Sequence, residues 1–90
     1  MKKTEFETAL QTTSRDLNQA AVIDAANFYV EVSRRPAGNR ALFAWDDTAT
    51  TRDLIERYET RQPLPLDAKS IIQSRTKLHH QALRVCMEGL

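Results

Sequence analysis

Glycine is scarce in this chain of 90 residues: there are 2, alongside 3 prolines. That excludes a collagen-like or linker-type protein. Cysteine occurs once, as Cys86, so no disulfide can close within the chain, which fits a reducing compartment or a cysteine of no consequence; the expected address is the cytoplasm. No apolar run approaches ~18 residues, so no membrane-spanning helix is expected and no membrane partner. Lys2 and Lys3 open the chain as a signal peptide would, but no apolar stretch follows, and no leader is expected. Neither sign of charge dominates. Thirteen basic residues face 12 acidic ones for a net of +1, so no global field draws the molecule to nucleic acid or an anionic surface. Internal repeats and a glycine-rich phosphate loop are also missing.

What remains is an ordinary globular composition, 41% hydrophobic and 28% charged, too apolar for intrinsic disorder. Its length suits one domain with a small core. The first 12 residues are weakly patterned. Thr4 with Glu7 offers a capping box and Phe6 with Leu10 a one-turn apolar pair, so this segment reads as a short helix or a loose arm. The single domain is expected over residues 13–90. Thr13 followed three residues later by Asp16 reads as a helix start, and an Ala-rich helix is expected over roughly Arg15 to Asn27.

At Phe28 the period changes to two. Phe28, Val30 and Val32 alternate with Tyr29, Glu31 and Ser33; after Pro36-Ala37-Gly38-Asn39 the alternation resumes through Ala41, Phe43 and Trp45. Proline fixes one φ, and glycine and asparagine tolerate positive φ, so the segment reads as a β-hairpin with its turn in 35–39. The competing reading is one helix continuing through Val32. Asp46 and Asp47 are expected as caps, and Thr50 with Asp53 as a box-like pair. A short acidic helix then carries Leu54, Ile55 and Tyr58 and ends near Arg61. Pro63 and Pro65 hold an extended link. Asp67 caps the last helix, with Ser70 at its third position, and the helix runs to about Glu88 with Gly89 as its stop. Ile71, Leu78, Ala82, Val85 and Cys86 form its apolar face, which Ile72, Leu83 and Met87 widen.

The expected fold class is therefore α+β, in the order α-β-β-α-α, with a two-stranded antiparallel hairpin packed on helices. Leu17, Ala21, Phe43, Trp45, Leu54, Tyr58, Ile71, Leu78 and Ala82 are the expected core. Leu42 and Tyr29 lie on the other side of the hairpin, open to a partner or to a second copy.

The segments TTSRDLNQAA, ALFAWDD and LPLDAKSII loosely resemble, in order, a family of short bacterial and phage proteins catalogued only as a domain of unknown function. Arg15-Asp16-Leu17 with Ala20-Ala21 fits its first motif, T-x-D-L-x-x-A-A. Phe43, Trp45 and Asp47 fit F-x-F-x-D with Trp in place of the second Phe. Leu66-Asp67-Ala68 fits V-D-A. The resemblance covers about residues 12–85 and implies the same element order and a mobile-element origin. It implies no activity.

Little in the sequence points to catalysis. His79 and His80 are adjacent, so on a helix they point ~100° apart, and Cys86 is ~10 Å along the axis from His79; no metal site is expected, and no cofactor. No serine or cysteine has a base at recognisable spacing, so no enzyme is expected. Charge placement says more. Asp46 to Glu59 holds five acids and two arginines, whereas Lys69 to Arg84 holds four basic residues, two histidines and no acid. The two helices are expected to neutralise each other across a contact or to serve solubility. The functional reading places Arg34, Arg35, Arg40, Arg75, Lys77 and Arg84 on one binding face for phosphates or an acidic protein surface. Two functions follow from it. One is a small non-enzymatic protein-binding module, an inhibitor or adaptor encoded by a phage or mobile element, whose partner is a host protein or a second copy joined through the hairpin. The other is a nucleic-acid-binding accessory protein using the basic hairpin tip and last helix.

Overall fold

A computed structural model describes residues 10–35 and 40–88. The order of elements is β1 (Gln11–Ser14), α1 (Leu17–Ala25), β2 (Glu31–Arg34), β3 (Ala41–Asp46), α2 (Ala49–Glu59) and α3 (Ala68–Glu88). The class is α+β, but the order is β-α-β-β-α-α and the antiparallel sheet has three strands, arranged β1-β3-β2. The two-stranded expectation is corrected by β1, which begins inside the stretch read as an arm. Residues 1–9, including the Thr4–Glu7 box, and both glycines lie outside the described residues.

Gln11-Thr12-Thr13-Ser14 becomes a strand because β3 offers it an edge. Gln11 lies opposite Asp46, Thr12 opposite Trp45, Thr13 opposite Ala44 and Ser14 opposite Phe43. The hydroxyl of Thr13, expected as a cap, therefore belongs to the sheet. The helix starts instead at Asp16, whose Oδ1 accepts from the N–H groups of Asn18 (2.8 Å) and Gln19 (3.4 Å). One such cap satisfies two of the four orphan donors of a first turn. Ser14 Oγ accepts from Asp16 N–H and donates to Gln19 Oε1, fixing the strand-to-helix corner.

The scarcity of glycine has a visible consequence at two helix ends. α1 closes with Phe28 N–H on Ile23 C=O and Asn27 N–H on Asp24 C=O; α2 closes with Gln62 N–H on Arg57 C=O and Arg61 N–H on Tyr58 C=O. Both are Schellman closures, which need a left-handed residue just past the cap. Asn27 (φ 71°) and Arg61 (φ 61°) fill that role. Asparagine takes it readily, whereas arginine does so at a cost.

The hairpin is present. Val32 lies opposite Phe43 and Arg34 opposite Ala41, and Arg35 N–H donates to Arg40 C=O at 2.9 Å to begin the turn. Val30 sits just before the strand, buried, and the turn residues 36–39 lie outside the described set. The alternation holds: Val30, Phe43 and Trp45 are buried, while Tyr29 is 81% exposed. That pattern excludes a helix through Val32.

The cap of α2 is Thr48, not Asp46, Asp47 or Thr50. Thr48 Oγ1 accepts from Thr51 N–H at 3.1 Å, and Thr51 Oγ1 accepts from Thr48 N–H at 2.9 Å while its hydroxyl reaches Asp46 C=O at 2.9 Å. A threonine thus plays the part a glutamate usually takes in this box, and at 1% exposure it does so inside the core. Asp67 behaves as expected, with Oδ1 accepting from Ser70 N–H at 2.6 Å. The bonds from Ser70, main chain first and then hydroxyl, hold the Asp67 carboxyl below its ordinary value of 3.8.

The helices cover one face of the sheet. Ala20, Val22 and Ile23 of α1, Leu54 of α2 and Leu78 of α3 enclose Phe43, Trp45 and Val30, with Leu17, Tyr58 and Ala82 packed against them. Most of the expected core is in place. Ala21 is buried but lies outside the cluster, and Ile71 is only half-buried and also outside it; from α1 it is Ala20, Val22 and Ile23 that reach the cluster. Ile72, Leu83 and Met87 do not widen the buried face of α3: they are exposed.

Candidate functional site

The basic residues divide by element. Arg34 ends β2 and Arg35 continues its pairing one residue further, through the bond to Arg40 C=O, so their side chains leave opposite faces of the sheet, and Arg40 stands across from Arg35. On α3, Arg75 and Arg84 are nine residues apart, roughly 180° around the helix. The helix therefore sends these two to opposite sides.

Two of the six are engaged with α1. Arg75 Nε donates to Asn18 Oδ1 at 2.7 Å, and Lys77 Nζ pairs with the Asp24 carboxylate at 2.9 Å. The Asp24 side chain is only 14% exposed, so Lys77 answers a carboxylate that packing has largely removed from water. This corrects the expected neutralisation of α2 by α3. α1 lies between them, and it meets both: Gln19 Nε2 donates to Glu59 Oε2 of α2 at 2.7 Å, while Asn18 and Asp24 receive α3. The acidic charge of α2 is answered partly from within, by Arg57 to Asp53 at 2.8 Å and, more loosely, Arg52 to Asp47 at 3.7 Å.

The remaining surface of α3 is unusual in composition. Ile72 (63% exposed), Leu83 (48%) and Met87 (67%) fall within a ~60° sector opposite the buried Ser74 and Leu78. Thr76, His79 and His80 lie between them, all exposed, and Lys69 and Arg84 flank the stripe. Neither histidine packs into the core; their rings stand 6.1 Å apart, tilted by 44°. The stripe is ~22 Å long, and no acid occurs in it from residue 68 to residue 87.

Three concavities accompany these faces. A polar cleft of about 550 Å³ holds the Asp24–Lys77 pair and is bordered by Asn27, Tyr29 and Gln73. A smaller one, about 240 Å³, lies over Trp45 between Thr12 and Ile55. A groove of about 250 Å³ runs between β2 and the second half of α3, lined by Tyr29, Val30, Val32, Gln81, Arg84 and Val85. Among the described residues no group of three His, Cys, Asp or Glu side chains stands close enough to hold a metal ion. Nor is any described helix long and apolar enough to cross a membrane.

The sequence reading missed the α3 stripe because its members were assigned to the core. The signal was available: Ile71, Leu78, Ala82 and Val85 already fill one face, and Ile72, Leu83 and Met87 lie beyond its width. No protein-family model, curated protein or solved structure matches the chain.

Proposed function

We propose that the chain is a small, non-enzymatic protein-binding module and that its contact surface is the outer face of α3. The observation that carries this is the exposure of Ile72, Leu83 and Met87 in one sector of a helix whose other side is already buried. Large side chains of this kind cost solubility when left in water, and several of them sharing one sector of a helix are a mark of a docking surface. Methionine adapts its shape to a partner more readily than other apolar residues. The charges around the row define the partner. Lys69, His79, His80 and Arg84 are exposed and no carboxylate accompanies them before Glu88, so the complementary surface is apolar with an acidic rim. An inhibitor or adaptor of mobile-element origin, acting on a host protein in the cytoplasm, is the class that suits a one-domain module of this size.

The run of basic residues on α3 favours one other reading, a nucleic-acid phosphate partner. Its weakness is that Arg75 and Lys77 are engaged with α1 and that apolar side chains occupy the centre of the basic face.

An affinity capture from host lysate decides between the two, using wild type and the Leu83→Glu/Met87→Glu double variant as baits, with and without nuclease. The proposal expects a protein captured by wild type, unaffected by nuclease, and lost with the variant although both baits melt at the same temperature. Equal capture by both baits overturns it, and nuclease-sensitive capture replaces it with the second reading.

A further inference from the structure

The outer edge of β2 has no strand paired to it among the described residues. Its hydrogen-bond parity follows from two contacts. Arg35 N–H bonds Arg40 C=O, so 35/40 is a bonded pair, and with the register 31/44 to 34/41 the next bonded pairs inward are 33/42 and 31/44. On the other side, Asp47 N–H bonds Leu10 C=O, which makes 12/45 and 14/43 the bonded pairs with β1. The two sets interlock, even residues of β3 serving β2 and odd ones serving β1. On β2 the odd residues are thus turned to β3, and Val32 directs its N–H and C=O to the outer edge.

We infer that this edge pairs with the same edge of a second copy, antiparallel about a two-fold axis at Ser33, giving a six-stranded sheet. Parity allows only registers in which odd residues face odd and even face even. The one centred on Ser33 sets Glu31 opposite Arg35 of the second copy, twice by symmetry. Both are non-hydrogen-bonded positions, where facing side chains approach most closely. The edge is therefore self-complementary in charge. Charged side chains and proline commonly keep an edge from pairing; here the charges at positions 31 and 35 are of opposite sign and spaced to meet under the symmetry. The contact also covers what the monomer leaves open. Tyr29 is 81% exposed beside this edge, and the groove of about 250 Å³ between β2 and α3 is lined by no residue of β3, which places it on the outer side. A copy arriving at the edge closes that groove over Val32 and Tyr29. The outer stripe of α3 is a different surface and takes no part.

The test is sedimentation equilibrium of the full chain across roughly 1–500 µM, a range that reads dissociation constants from micromolar to sub-millimolar. The inference expects a species of twice 10.3 kDa. Glu31→Arg and Arg35→Glu each replace two attractions by two repulsions and weaken self-association at least ~10-fold. The double swap Glu31→Arg/Arg35→Glu restores it, and so does mixing the two single variants, because each then supplies what the other lacks. Val32→Pro, which removes only an outward N–H from the ladder, also gives monomer, with far-ultraviolet circular dichroism checking that the fold survives. A monomer at every concentration overturns the inference, as does a dimer that both single variants leave unchanged.

Discussion

Replacing Trp45 by alanine tests the packing of the whole domain. Trp45 lies on the central strand, 2% exposed, on the face covered by the helices, in the same cluster as Ile23, Leu54 and Leu78. A tryptophan side chain buries roughly 150–250 Å², worth about 4–6 kcal/mol at ~25 cal/mol per Å². The unfolded chain already hides some of that area, which lowers the figure, and the collapse of the vacated site is incomplete, which raises it; substitutions of this kind cost about 3–5 kcal/mol. A domain of this length has roughly 5–13 kcal/mol in total. At about 4–8 °C per kcal/mol the midpoint of thermal unfolding should fall by at least ~12 °C. Far-ultraviolet circular dichroism is the assay, since the substitution removes the single tryptophan and its fluorescence. Trp45→Phe should lose about a third as much, ~1–2 kcal/mol, because most of the volume remains. A fall below ~4 °C for Trp45→Ala would mean that the ring lies at the surface, and the stacking of three helices on one face of the sheet would be wrong.

Three further substitutions probe the local chemistry. Arg61→Gly removes a side chain from a left-handed position and should stabilise by about 0.5–1 kcal/mol, read as a higher urea midpoint with unchanged slope. Thr51→Val keeps the shape but leaves Asp46 C=O and Thr48 N–H without their partner beside a buried site, and should cost ~1–3 kcal/mol in the same titration. Asp67→Ala should lower the melting temperature at neutral pH. Because the folded carboxyl titrates below its ordinary 3.8, its contribution is fully present above that value and is lost as pH falls through the folded pKa; the gap between wild type and variant should therefore begin to narrow below pH 3.8 and close as the folded pKa is passed.

The parts of the fold legible in the sequence were those written in local chemistry. The period-two alternation around Phe43 and Trp45 marked the hairpin, Asp67 with Ser70 marked the start of α3, and the prolines marked the link before it. β1 was not legible. Its four residues, Gln11-Thr12-Thr13-Ser14, carry no apolar alternation, and their hydroxyls read naturally as helix caps; what makes them a strand is the edge of β3, a partner 29–35 residues away. The same limit displaced the cap of α2. Thr48 and Thr51 form their box because Asp46 C=O is there to receive the Thr51 hydroxyl, a contact that spacing alone does not display. At the candidate site, the sequence separated basic from acidic segments correctly but not their destinations. Arg75 and Lys77 turn to α1 because Asn18 and Asp24 of that helix lie under them, whereas the exposed row on α3 was already legible in the width of its apolar face, which the burial of Ser74 and Leu78 fixes.

The central claim, that the outer face of α3 meets a protein, is tested most directly by a photoreactive amino acid placed there. With the probe at Leu83, irradiation in the host cell should give a discrete protein adduct that survives nuclease, and the same probe at Thr50, exposed on α2, should give none. Equal labelling from both positions, or an adduct at Leu83 that nuclease removes, would contradict it.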